Sequence, residues 1–107
     1  YRVIVSAPDF WSSYRNERPA LIVGCSLGGT NALELARAVK NRPRVITIDP
    51  TRVNRGAPRG IAAINLYNSH NVLGAGYVRG AANYENNIGH IAMCSAAPIH
   101  AVVLAHL

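Results

Sequence analysis

Residues 24–28 read Gly-Cys-Ser-Leu-Gly and place Ser26 at the centre of a glycine-flanked turn. An apolar run precedes this turn, and a segment with helical spacing of its apolar residues follows it. The pattern G-x-S-x-G between a strand and a helix is typical of a sharp turn that exposes a serine hydroxyl. The chemistry that such a hydroxyl could perform is nucleophilic attack, with the backbone N–H of Leu27 directed at the developing oxyanion. An ordinary glycine-rich connection is the alternative interpretation.

A serine nucleophile needs a base, and the base needs an acid to orient it. Asp49 lies at the end of the next apolar run, 23 residues after Ser26, and His90 follows another 41 residues later. The chain order serine, aspartate, histidine is the order expected when the serine lies on a turn of this kind. We therefore predict that Asp49 is the acid and His90 the base, against the alternative that Asp49 only stabilises a turn.

Three other histidines and one cysteine compete for roles in this chemistry. His70 is the second candidate for the base and a candidate substrate-binding residue, because it follows a predicted strand. His100 and His106 fall in the predicted last helix, where we expect surface or packing roles. Cys25 is not predicted as the nucleophile, since the turn exposes its central residue, Ser26.

The elements that must position these residues alternate between strand and helix. Apolar and β-branched runs predict four strands, over residues 1–7, 20–25, 43–50 and 61–69. Helical spacing predicts two helices, over 28–41 and 95–107. We expect Thr30 or Asn31 to cap the first of them, and Ser95 to cap the second, with Pro98 in its first turn. The predicted connections are 8–19, as a loop or short helix, 51–60 and 70–90.

This alternation predicts an α/β domain with a mostly parallel sheet. In such sheets functional sites gather at the carboxyl ends of the strands. Ser26 directly follows one predicted strand and Asp49 lies at the end of the next, so we expect them to lie at the same edge of the sheet.

Three segments resemble α/β-hydrolases of the lipase and esterase type. Residues 21–36, LIVGCSLGGTNALELA, resemble the family's nucleophile elbow, and residues 45–52, VITIDPTR, resemble the segment that carries its acid. The C-terminal part is similar to small bacterial lipase-like or thioesterase-like proteins, in which a Gly-His pair precedes the last helix. The resemblance extends over residues 20–107, and the elbow is its most specific motif.

The resemblance implies a three-layer α/β-hydrolase-like fold with a small, mostly parallel sheet that lacks the family's N-terminal strands. Residues 1–107 would form one such domain, either whole or as the C-terminal portion of a longer one. The implied activity is that of a serine hydrolase acting on a small-molecule or lipid acyl ester or thioester. Ser26, Asp49 and His90 would be catalytic, and Leu27 would supply half of the oxyanion hole.

The resemblance implies no metal and no organic cofactor. Residues 1–23 contain no glycine, so the glycine-containing loop that gives the family its second oxyanion donor is not evident. A non-catalytic hydrolase-like binding module, or a fragment that works only with an N-terminal part, is therefore the alternative function.

The composition limits the remaining possibilities. Half of the 107 residues are hydrophobic and 15% are charged, which favours a packed domain over disorder. The net charge of +6 includes five arginines within 42–59, which could attract anions, but no nucleic-acid motif accompanies them. No apolar run is long enough to span a bilayer. We expect a soluble protein, cytoplasmic or secreted, without a nucleic-acid partner, and the sequence leaves its oligomeric state open.

The two cysteines, Cys25 and Cys94, are expected as buried thiols, with one bridge between them as the alternative.

Overall fold

The computed structural model describes residues 16–72 and 76–107 of the chain. The predicted strand 1–7 lies outside the described residues, as does most of the predicted connection 8–19. Residues 16–19 contain no helix or strand.

Four parallel strands form one sheet with the order β1-β2-β3-β4. The strands are β1 (Leu21–Cys25), β2 (Arg44–Ile48), β3 (Ala63–Tyr67) and β4 (Ala82–Glu85). The first three strands confirm those predicted over 20–25, 43–50 and 61–69. Each observed strand is shorter than the predicted one. The α/β class and the parallel sheet are confirmed.

The prediction of an extended loop over 70–90 is wrong, because β4 lies within it. β4 reads Ala-Asn-Tyr-Glu, and none of its residues is buried. It therefore lacks the apolar run that predicts a buried strand. Its place in the sheet comes from pairing with β3, where Asn83 lies opposite Asn65.

Three helices accompany the sheet, namely α1 (Leu27–Ala38), α2 (His90–Met93) and α3 (Ala97–Ala105). α1 and α3 confirm the two predicted helices, and Pro98 lies in the first turn of α3. The predicted caps are wrong. The N-cap of α1 is Ser26 and that of α3 is Ala96, and neither makes a side-chain capping bond. Within 16–72 and 76–107, no helix has the length and apolarity that crossing a membrane requires.

Apolar side chains cover the sheet on both faces, because alternate strand residues point to opposite sides. α1 packs on one face through Leu33, Leu35 and Ala36, against a cluster that includes Ile22 and Val45. A second cluster lies on the other face and joins the sheet to α2 and α3; its buried members are Ile46, Ile48, Leu66, Met93 and Ile99. The described chain is thus a three-layer arrangement of helix, sheet and helix.

Polar side chains cross the α1 face of the sheet in one row. Thr47 Oγ1 donates to Asn65 Oδ1 at 2.7 Å, and Asn65 Nδ2 donates to Asn83 Oδ1 at 2.8 Å. The same Nδ2 atom donates to the carbonyl of Gly76 at 2.7 Å. Thr47 and Asn65 are buried, so they stabilise the sheet only while their polar atoms keep these partners. The row also joins β4 to the two central strands.

Candidate active site

Ser26 lies at the junction of β1 and α1, in a backbone conformation that residues other than glycine rarely adopt. Its φ is 58° and its ψ is −127°. Its N–H donates to the carbonyl of Ile48 at 2.8 Å, which ties the turn to the end of β2. A left-handed φ of this kind costs free energy and persists only where the surroundings enforce it.

The close approach of β1 and α1 enforces that turn. A Cβ atom on Gly24 would lie 2.0 Å from the carbonyl oxygen of Gly28, so only glycine fits at this position. The two glycines predicted to flank a sharp turn are therefore in contact across it. Leu27 is the first residue of α1, a position at which the backbone N–H has no acceptor one turn earlier in the helix. It follows Ser26 directly, where the sequence predicts an oxyanion donor.

His90 is the first residue of α2, and its imidazole lies against Ser26. Ser26 Oγ and His90 Nε2 are 2.9 Å apart, which is hydrogen-bond distance. The His90 side chain is mostly buried, with 15% of it exposed. Of the two histidines considered as the base, the structure places His90 at Ser26.

Asp49 completes a chain of three side chains. It follows β2 with a φ of 45°, and its side chain is fully buried. Its Oδ2 atom accepts a hydrogen bond from His90 Nδ1. The carboxyl ends of β1 and β2 thus bring Ser26 and Asp49 to the same edge of the sheet, as predicted, and His90 bridges them.

Two asparagines that follow β3 also hold Asp49, and the sequence alone indicates a role for neither of them. Asn71 Nδ2 donates to Asp49 Oδ2 at 2.7 Å, and the backbone N–H of Asn68 donates to Asp49 Oδ1 at 3.2 Å. Both asparagines are buried. They belong to the segment Asn-Ser-His-Asn after β3, and nothing in that segment by itself indicates a contact with Asp49.

Hydrogen bonds to Arg52, Ile88 and Glu85 hold the loop that carries these asparagines. Arg52 donates to the carbonyl of Asn71 at 3.1 Å, and Asn68 Nδ2 donates to the carbonyl of Ile88 at 3.1 Å. The hydroxyl and N–H of Ser69 donate to Glu85 at the end of β4, and these bonds lower the pKa of the Glu85 carboxyl. The missed strand β4 therefore helps to fix the loop that holds Asp49.

The other three histidines make hydrogen bonds elsewhere. His70, the candidate substrate-binding residue, is exposed, and its backbone N–H donates to Asn68 Oδ1 at 3.0 Å. The rings of His100 and His106 each hydrogen-bond a backbone carbonyl, those of Cys94 and Val102, at 2.8 Å.

Cys25 and Cys94 form a disulfide, with their Cα atoms 6.1 Å apart. The expectation of two buried thiols is therefore wrong. The bridge spans 69 residues of sequence, and neither residue is fully buried. Sequence spacing carries no information on such a pairing, because only the fold brings the end of β1 beside the end of α2.

An open cleft of about 550 Å³ lies beside the imidazole of His90. Its lining is largely apolar and consists of Val72, Gly89, His90, Ile91, Ala92 and Ser95. The side chain of Ile91 is 91% exposed and that of Val72 is 89% exposed. A second cleft, of about 380 Å³, lies among residues at the starts of the strands, at the end of the sheet opposite Ser26.

In the part of the chain that the structure describes, no group of three or more histidine, cysteine, aspartate or glutamate residues could hold a metal ion. No protein-family model, no curated protein and no solved structure matches this chain. The site must therefore be interpreted from its own geometry.

Proposed function

We propose that this chain is a serine hydrolase that cleaves a carboxylic ester or thioester through an acyl-enzyme on Ser26. The observation that carries the proposal is the continuous hydrogen-bonded chain from Ser26 Oγ through both ring nitrogens of His90 to Asp49. Function follows from such a constellation rather than from the fold, because α/β folds support many activities.

In the first step, Ser26 Oγ attacks the acyl carbonyl while His90 Nε2 accepts the hydroxyl proton. Asp49 accepts the Nδ1–H of His90, fixes the tautomer with Nε2 free, and stabilises the imidazolium that forms. The Leu27 N–H donates to the oxyanion of the tetrahedral intermediate. His90 then gives its proton to the leaving alkoxide or thiolate, and the acyl group stays on Ser26.

In the second step, water replaces the alcohol or thiol. His90 Nε2 accepts a proton from the water, whose oxygen attacks the acyl carbon, and the returning proton releases Ser26 and the carboxylic acid. The chain supplies the nucleophile, base and acid from its own residues. The cleft beside His90 offers room for one side of the substrate, and its apolar lining favours an uncharged group there.

Two features distinguish this constellation from three polar residues that meet by chance. Ser26 and Asp49 both have positive φ, 58° and 45°, and such strain clusters at functional sites. Asp49 is also fully buried and receives hydrogen bonds from three different residues, as expected for a carboxylate that must stay oriented.

The test is turnover of a short p-nitrophenyl ester by the chain and by Ser26→Ala. We expect hydrolysis by the parent protein and a loss of at least about a thousandfold in kcat in the variant, since the nucleophile is removed. Cys25→Ser in the same turn is not a suitable control, because it also removes the disulfide. His70→Ala serves better, and we expect it to keep the parent's kcat. Equal turnover by the parent and Ser26→Ala would favour the alternative of a non-catalytic binding module.

A further inference from the structure

The disulfide joins the two segments that carry the nucleophile and the base. Cys25 is the last residue of β1 and directly precedes Ser26. Cys94 directly follows α2, whose first residue is His90. The bridge therefore links the segments of Ser26 and His90 by a short covalent path, in addition to the hydrogen bond between their side chains.

The segment that carries His90 has little structure of its own to hold it. α2 contains four residues, which is too short for a helix to be stable without tertiary contacts. Met93 is its buried residue, whereas Ile91 and Ala92 are exposed. Besides the His90 side chain, the described contacts that hold α2 include the packing of Met93, its contact with Asn86 Nδ2 at 4.0 Å and the bridge at Cys94. The preceding residues are held by the bond from Asn68 Nδ2 to the carbonyl of Ile88 at 3.1 Å.

The Ser26 side, in contrast, is held rigidly. β1 pairs with β2 along all five of its residues, and the Ser26 N–H bonds to Ile48. The covalent link from this strand to the end of the short helix α2 limits how far α2 can move relative to Ser26.

We propose that the Cys25–Cys94 disulfide positions His90, keeping Nε2 within hydrogen-bond distance of Ser26 Oγ, so that reduction of the bridge lowers turnover. This inference rests on the proposed function of Ser26 and His90. Cys25 and Cys94 act through other residues and touch no reacting atom, so they are positioning residues.

The redox step is an ordinary thiol–disulfide exchange. One thiolate of a dithiol reductant attacks a sulfur of the bridge, forms a mixed disulfide and releases the other cysteine. The second thiol of the reductant then closes a ring and releases the remaining cysteine. Two electrons and two protons pass to the protein, which gains two thiols, and the reductant leaves as a cyclic disulfide.

The experiment compares the oxidised chain, the dithiol-reduced chain and Cys94→Ala. Thiol titration of the denatured protein is expected to find no free thiol before reduction and two after it, since the chain has two cysteines. Reduction and Cys94→Ala are each expected to lower kcat for a p-nitrophenyl ester at least about tenfold, because small misplacements of a base are costly. KM is expected to change less than kcat, and reoxidation to restore the parent value. Cys94→Ala is expected to be insensitive to the reductant.

Val102→Ala separates positioning from general stability. Val102 packs against the same apolar cluster as Cys94 but forms no bridge. We expect this variant to have a lower Tm, an unchanged kcat and the parent's sensitivity to reduction. All kinetic measurements are made at a temperature where circular dichroism shows each form to be folded.

A readout that needs no substrate completes the test. The N–H proton that His90 shares with Asp49 is expected to give a far-downfield NMR signal, which His90→Gln identifies by its loss. Reduction is expected to broaden or remove the signal while the signals of β1 and β2 persist. Full activity and an unchanged downfield signal in the folded, reduced protein would overturn the positioning role and leave the proposed function intact. An oxidised protein with the downfield signal but no turnover would instead refute the proposed function, and with it the inference.

Discussion

At the scale of single residues, the proposed chemistry depends on how firmly hydrogen bonds fix the carboxylate of Asp49. Asp49 is buried, and it accepts hydrogen bonds from His90, Asn71 and the backbone of Asn68. A buried carboxylate that loses one donor pays a desolvation cost and gains freedom to rotate. The orientation of His90 therefore depends on residues that never touch Ser26.

Asn71→Leu removes the amide that donates to Asp49 Oδ2 and keeps a side chain of similar size. We expect kcat to fall by roughly 10- to 100-fold, because a hydrogen bond to a charged group contributes about 1.5–3 kcal/mol. KM for a short ester is expected to stay nearly constant, since the lost interaction orients the base rather than binding the substrate. Steady-state kinetics on a p-nitrophenyl ester measures both constants.

Asn54→Ala is the matched control for that variant. Asn54 also bonds backbone groups in a loop, at Thr51, Gly56 and Tyr77, rather than a carboxylate. We expect a lower Tm and the parent's kcat. A similar loss of kcat in both variants would show that Asn71 contributes only to loop stability.

Ser26, Asp49 and His90 could be selected from the sequence, whereas Asn68 and Asn71 could not. The three candidates belong to residue types that do chemistry, and two of them directly follow apolar runs. Asparagines are common in loops, where they stabilise turns, so their type and position alone do not indicate a contact with a carboxylate. That contact requires β3 to lie beside β2, which only the sheet order reveals.

At the scale of elements, the turn between β1 and α1 depends on contact between two glycines. Gly24→Ala would bring a methyl group to within 2.0 Å of the carbonyl oxygen of Gly28, so the helix or the strand would have to move. We expect a loss of at least about 3 kcal/mol in the free energy of unfolding, since the clash is with backbone that cannot rotate away. Chemical denaturation monitored by circular dichroism measures this loss.

Gly89→Ala is the matched control for stability. Gly89 has no atom within 4 Å of an added Cβ, and its φ of −63° suits any residue. We expect a change within about 0.5 kcal/mol. A Gly24→Ala protein as stable as Gly89→Ala would contradict the close packing of strand and helix at Ser26.

The elements predicted correctly are those with strong patterns in the sequence. β1 and β2 are runs of apolar residues, and α1 places its buried residues on one helical face. β4 has no such pattern, because its residues are half-buried or exposed and its contribution comes from the Asn83 side chain. α2 is a single turn whose placement comes from tertiary contacts, so no local signal could predict it.

At the scale of the whole molecule, the disulfide closes a loop that includes most of the described chain. The bridge joins residues 69 apart, and a closed loop of that length is expected to stabilise a domain by about 4 kcal/mol. The molecule is small, with a Cα radius of gyration of 12.5 Å, so this contribution is a large share of its stability.

We accordingly expect reduction to lower Tm by about 18 °C, from the loop contribution and the usual entropy of unfolding for a domain of this size. Thermal scans with and without a dithiol measure the shift, and Cys94→Ala should show no shift with the reductant. Equal Tm values for the oxidised and reduced parent would contradict the stabilising role of the bridge.

The central claim is that Ser26 is a nucleophile activated by His90, and covalent labelling tests it most directly. The folded, oxidised chain is treated with a fluorophosphonate probe, and the modified residue is located by mass spectrometry of its peptides. We predict rapid labelling at one residue, Ser26, and a loss of labelling in His90→Ala at unchanged fold. A folded protein that stays unlabelled, or that is labelled as fast in His90→Ala as in the parent, would contradict the claim.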